Sequence, residues 1–106
     1  MVMHGVSNLS ATIMMSLTPG TPTSLSFPLN AQGLAMRPRH ARITVEGNPC
    51  RWGKSPSGAI GQLVSATPPN NIVSFEDPMN DYTGVLQQIQ FIALGGVATL
   101  QINYMT

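Results

Sequence analysis

The acid, imidazole and thiol groups of this chain of 106 residues are few: Glu46, Glu76, Asp77 and Asp81, His4 and His40, and Cys50. A glycoside hydrolase sets two carboxyl groups across one bond. Here three of the four acids fall in the stretch Glu76-Asp-Pro-Met-Asn-Asp81, where they cannot easily flank a substrate. Glu76, Asp77, Asn80 and Asp81 could offer oxygen ligands to calcium, but their spacing matches no EF-hand loop, and a solvated loop is the plainer reading. No Cys or His pair has zinc spacing. A Cys50–His40 nucleophile and base pair is possible by sequence alone, yet a lone cysteine is ordinarily a small buried hydrophobe. None of the serines lies in Gly-x-Ser-x-Gly. Gly58-Ala-Ile-Gly61 is not followed by the Gly-Lys-Ser/Thr that a phosphate loop requires. The expectation is a protein that is not an enzyme, with no metal, no cofactor and no small-molecule substrate.

The elements that must position these residues are short. Gly (10) and Pro (9) recur too closely for most helices of three turns. Between them run segments of period two, rich in Ile, Val, Thr and Leu, which predict strands. Leu9 to Leu17 turns Ala11, Ile13, Met15 and Leu17 to one face, with Thr12 and Ser16 on the other. Thr18-Pro-Gly-Thr-Pro22 is a turn. Ser24 to Leu29 alternates with Leu25, Phe27 and Leu29 inward. His40 to Gly47 points Ala41, Ile43 and Val45 inward and Arg42, Thr44 and Glu46 outward. Cys50 to Trp52 is a brief extended piece before the loop Gly53 to Gly58, and Ala59 to Ala66 and Asn71 to Phe75 predict two further strands. Val85 to Leu94 reads as the longest strand. Its inward face changes near Gln90, which a β-bulge or burial of both faces would reconcile. Gly95-Gly96 carries the signal of a two-residue hairpin. Val97 to Tyr104 closes the series with Ala98, Leu100, Ile102 and Tyr104 inward. Seven or eight short strands at this spacing predict an all-β single domain over residues 1–106, a jelly roll or related antiparallel β-sandwich. Residues 1–8 are expected to form an N-terminal arm.

Composition limits the function classes. Charged residues make up 8% of the chain, against about 25% in an ordinary domain. Ser, Thr, Asn and Gln together supply 31 residues instead. Such a surface loses its water more cheaply than one of Lys and Glu, and interface cores are depleted in charge for that reason. This predicts a subunit that neighbours partly cover. A net charge of +1 argues against electrostatic binding of nucleic acid. Met1 to Ser10 lacks the basic start and apolar run of a secretory signal, and no apolar run is long enough to span a membrane. The expectation is a chain made in a cytoplasm that stays soluble.

Candidate contact residues follow from charge placement and residue type. Arg37, Arg39, His40, Arg42, Arg51 and Lys54 hold every basic side chain except His4. Glu76, Asp77 and Asp81 hold three of the four acids. The two groups can meet within one subunit or, head to tail, between neighbours. Trp52 after Arg51 combines the residue types most enriched at interface hot spots, although a single Trp also commonly caps a sandwich core. The methionine-rich start, with Met3 beside His4, is an adaptable apolar arm that can pack on a neighbour. Met3, His4, Arg37, Arg39, Arg42, Arg51, Trp52, Glu76, Asp77 and Asp81 are therefore the candidate interface residues.

Three stretches carry a resemblance: Ala41-Arg-Ile-Thr-Val-Glu-Gly-Asn-Pro-Cys-Arg-Trp52, Pro56-Ser-Gly-Ala-Ile-Gly61, and Gln90 to Tyr104. Together they resemble a family of small virion structural proteins of tailed bacteriophages, including capsid cement (decoration) subunits. The loop after Trp52 is shorter than the family pattern and lacks its acidic residue, and the first 40 residues match nothing in it. The resemblance implies a homotrimeric β-protein on the capsid surface of the virion, partnered by the major capsid protein and made in the host bacterial cytoplasm. The alternative is a receptor- or carbohydrate-binding module of a tail or head fibre. That would need an exposed aromatic platform from Trp52, Tyr82 or Tyr104, of which Tyr104 is expected to be buried.

Overall fold

The computed structural model describes residues 9–29, 32–34, 38–76 and 85–105. Its elements are β1 (Leu9–Leu17), β2 (Thr23–Ser24), β3 (His40–Glu46), β4 (Cys50–Gly53), β5 (Gln62–Val64), β6 (Ile72–Glu76), a single helical turn α1 (Val85–Gln88), β7 (Gln90–Ala93) and β8 (Ala98–Met105). They form two four-stranded sheets, ordered β1-β8-β3-β6 and β2-β7-β4-β5. Every strand pairing is antiparallel, and the pairs nest: β1 with β8, β2 with β7, β3 with β6, β4 with β5. Two further pairings, β3 with β8 and β4 with β7, complete the sheets. This is one long hairpin rolled across two layers, the jelly-roll arrangement of a β-sandwich.

Alternation decides which side chains enter the core. In β8, Ala98, Leu100, Ile102 and Tyr104 are fully buried while their neighbours are half-buried. In β3, Ala41, Ile43 and Val45 do the same from the adjacent strand. Burying each large apolar side chain contributes about 1.5–3 kcal/mol. Aromatic rings tie the two layers together. Phe75 of β6 meets Trp52 of β4 edge-on at 4.7 Å and Phe91 of β7 at 6.3 Å. Phe27 lies 5.2 Å from the Tyr104 ring. Asn71, buried and polar, is satisfied: its Nδ2 donates to the Val45 carbonyl at 3.2 Å, and its own carbonyl accepts from the Val45 amide at 2.7 Å.

Four expected elements differ from this. The strand expected over Ser24 to Leu29 shrinks to Thr23–Ser24, and Leu29 is exposed. Pro28 cannot donate to a ladder, and the Ser26 carbonyl accepts from the Tyr104 hydroxyl at 2.7 Å. The strand expected over Ala59 to Ala66 is confined to Gln62–Val64. Ahead of it, Ser57 Oγ accepts from the amides of Ala59 and Ile60, and the Ile60 carbonyl accepts from the Ser57 amide. That local turn uses the groups a ladder would need. Val85 to Leu94 is not one strand, because Leu86 and Ile89, three residues apart and both buried, favour a helical turn before β7. There is no bulge in β7. Its register on β4 runs unbroken from Gly53↔Gln90 to Cys50↔Ala93, and both of its faces are buried at Phe91, Ile92 and Ala93. Finally, Gly95-Gly96 does not close a hairpin. It carries the chain from β7 in one sheet to β8 in the other. A Cβ at Gly96 would lie 2.7 Å from Asn48 Nδ2, so a larger residue there would displace the side chain that donates to the Val97 carbonyl at 2.9 Å.

Candidate interaction surface

The outward residues of the first sheet assemble from strands far apart in sequence. Strand register aligns Thr12, Asn103, Arg42 and Ser74 in one row across the face, and Met14, Gln101, Thr44 and Ile72 in the next. Ser16, Thr99 and Glu46 make a third row, and Met105, His40 and Glu76 a fourth. The β1–β8 half of this face is uncharged, with Met14 (68% exposed) at its edge, whereas the β3–β6 half carries Arg42, Glu46 and Glu76, with Ile72 (41% exposed) at the opposite edge. Side chains are held to one another across strands. Thr12 Oγ1 donates to Asn103 Oδ1 at 2.7 Å, and Gln101 Nε2 donates to Glu46 Oε1 at 2.6 Å. A face tied in this way loses little side-chain freedom on contact, and the uncharged groups of its β1–β8 half cost little to desolvate.

The second sheet is different, because the loop after β4 folds back over it. Cys50 and Trp52 face the core, so Arg51 faces outward, between Leu63 of β5 and Ile92 of β7 in register. Its Nε donates to the Gly58 carbonyl at 3.2 Å and a terminal guanidinium nitrogen donates to the Gly61 carbonyl at 3.0 Å. Arg51 thereby holds the loop closed, with Pro56 and Ile92 buried beneath it. Gly61 has φ +125°, and a Cβ there would sit 2.9 Å from the Trp52 carbonyl oxygen. Two open grooves flank the loop. One, of about 510 Å³, runs between Gly20, Pro22, Pro56, Ile92 and Leu94. The other, of about 340 Å³, lies between Trp52, Lys54, Pro56, Ile60 and Gln62. Ile60 and Leu63 are strongly exposed beside it.

The candidate interface residues separate under this geometry. Arg42 is exposed on the β3–β6 half of the first sheet's outer face and Arg39 is exposed just before β3. Arg51 is engaged within its own subunit. Trp52 is half-buried against Phe75, in the core role rather than as an open platform. Glu76 faces His40 directly across the β3–β6 pair, with Nδ1 and Oε1 3.9 Å apart, so this part of the charge segregation meets inside one subunit. At such exposure the pair contributes at most about 1 kcal/mol, and then only with the imidazole protonated. Met3, His4, Arg37, Asp77 and Asp81 lie outside the described residues, as do Tyr82 and most of the calcium candidate loop.

Cys50 and His40 are not brought together. His40 opens β3, whereas Cys50 follows the far end of that strand and pairs with Val64 and Ala93 in the other sheet. Burial pushes the Cys50 thiol up to about 11, the opposite of an activated nucleophile. Tyr104 is likewise raised by burial and has no exposed surface. Among the described residues no group of three His, Cys, Asp or Glu could hold a metal ion, and no helix is long and apolar enough to cross a membrane.

What the residue types alone did not single out is the uncharged β1–β8 half of the first sheet's outer face. Each of its side chains falls outward by alternation, but the rows exist only once β1, β8, β3 and β6 are known to be neighbours. No family model, curated protein or solved structure matches the chain.

Proposed function

We propose that the chain is a structural subunit of a phage particle, of the capsid cement (decoration) type, which associates with copies of itself and bridges major capsid proteins on the assembled head. The observation that carries this reading is the uncharged, hydrogen-bonded β1–β8 half of the first sheet's outer face, on a jelly roll with 8% charged residues. Such a face suits a protein lattice, where contact area must be desolvated without leaving charges unpaired. The motif resemblance over Ala41 to Tyr104 supplies the phage context and the three-fold arrangement on the shell. Binding that prefers the assembled shell stabilises it by linkage, and repeated sites on a lattice strengthen modest contacts by avidity.

The test is sedimentation of purified protein with full heads, followed by heating of heads with and without it. Co-sedimentation and a raised breaking temperature are expected. Recovery in the tail fraction alone overturns the reading. A rival reading as a carbohydrate-binding module is favoured by one observation, the groove lined by Trp52, Lys54 and Gln62. Binding to a glycan array that Trp52→Ala abolishes would select it.

A further inference from the structure

The first sheet has two edges, and they differ in how they are protected. An edge strand offers a row of unpaired backbone groups, and proteins blunt such edges with charge, proline, short length, bulges or a covering segment. β6 is short, at five residues, and ends on the exposed carboxylate of Glu76. β1 is nine residues long and contains no charged residue, no proline and no glycine. Its one irregularity, between Leu9 and Ala11, lies at its first end, and from Ala11 to Leu17 the register on β8 is unbroken. Among the described residues, β8 is its one neighbour in the sheet.

We propose that the free edge of β1 is the contact to a second copy of this chain, the two β1 strands running antiparallel about a two-fold axis at Ile13. The strand is complementary to itself in that register. Ala11 stands opposite the partner copy's position 15, a methionine, and Thr12 opposite its position 14, also a methionine. At these two positions a smaller residue faces a larger one, while Ile13 meets its own equivalent. With no charge anywhere in the strand, the two-fold sets no like charges directly opposite one another, an arrangement that destabilises strand pairs. The pairing joins two four-stranded sheets into one of eight and extends the uncharged β1–β8 half of the outer face across the axis at its apolar margin, where Met14 is 68% exposed. The contact is isologous and closes at two subunits. It is separate from any three-fold contact made on a shell, and it stands whether or not the capsid reading does.

The test is solution mass by light scattering at micromolar concentration, on the full chain and two variants. Thr12 and Met14 are exposed on the outer face, so both accept charged side chains without disturbing the core. Thr12→Lys with Met14→Lys sets lysine opposite lysine at both positions and is expected to reduce a dimer to monomer, with the dissociation constant raised at least about 100-fold. Thr12→Glu with Met14→Lys sets opposite charges in register and is expected to keep the dimer, now weakened by salt. Unchanged circular dichroism and a retained cooperative melting transition, at a somewhat lower temperature once the stabilisation by pairing is lost, separate lost pairing from lost folding in the double-lysine variant. A wild-type monomer, or a dimer or trimer whose mass the two lysines leave unchanged, overturns the proposal. A dimer that fails to bind heads leaves it standing and overturns the capsid reading instead.

Discussion

Replacing Arg51 by Met tests whether this cation serves its own subunit or a partner. The substitution keeps an apolar stem between Leu63 and Ile92 and removes the hydrogen bonds at 3.2 and 3.0 Å to the carbonyls of Gly58 and Gly61. A hydrogen bond from a charged donor contributes about 1.5–3 kcal/mol where water is shut out. Arg51 is half-buried and both acceptors sit on exposed residues that water can reach once freed. Each bond is therefore placed near the neutral value of about 1 kcal/mol, and the pair at about 1–2 kcal/mol. In a domain of this size that lowers Tm by about 5–15 °C. Scanning calorimetry reads the shift. Hydrogen exchange reads its location, with faster exchange expected at the amides of residues 54–61 and unchanged protection in β3 and β8. Unchanged Tm and loop exchange, together with weaker self-association or head binding, would refute the reasoning and return Arg51 to the role of a partner contact.

Two further outcomes follow from the same geometry. Gly61→Ala is expected to cost about 1–3 kcal/mol, because φ is +125° and the Trp52 carbonyl lies 2.9 Å from the new Cβ. Gly58→Ala, with open space around it, is expected to stay within about 0.5 kcal/mol in the same denaturant titration. Cys50 predicts an alkaline limit. Its folded value of about 11 exceeds the ordinary 9.0, so its contribution is fully present below about pH 9 and is lost as pH rises through 11. The loss approaches about 3 kcal/mol at about 1.4 kcal/mol per unit. The fall in stability between pH 9 and 11 is expected to be shallower in Cys50→Ala than in wild type, and parallel curves would count against it.

β3 and β8 were plain in the sequence because each alternates strictly, with one face in the core and the other in water. Where two periods competed, alternation misled. Leu86 and Ile89 satisfy a helical turn as well as part of a strand, and burial against β6 and the core selects the turn. Ser57 and Gly61 show the same limit in another form. Backbone groups that look available to a strand are taken by a hydroxyl or bent away by a positive φ, neither of which alternation registers. Gly95-Gly96 was right as a turn and wrong as a hairpin, since a turn signal does not say which sheet receives the next strand. For the interaction surface, residue type identified Arg51 and Trp52 as contact-making without identifying the contact. The acceptors of Arg51 lie seven and ten residues further along its own loop, and the ring partner of Trp52 lies on β6. The uncharged half of the first sheet's outer face was legible as a deficit of charge, and became a place only once β1 and β8 were neighbours.

The nesting of the strand pairs also sets a schedule for folding. β4 and β5 bracket the short loop that Arg51 holds, whereas β1 must find β8, and the hydrogen-bonded Thr12 and Asn103 are 91 residues apart. During synthesis at roughly 5–20 residues per second, β1 therefore waits on the order of 5–20 s before its partner exists. Closing so distant a pair is slow, and the innermost pair can form long before the outermost. Through that interval an uncharged strand of nine residues has both edges open, which makes the nascent chain most vulnerable to aggregation at β1.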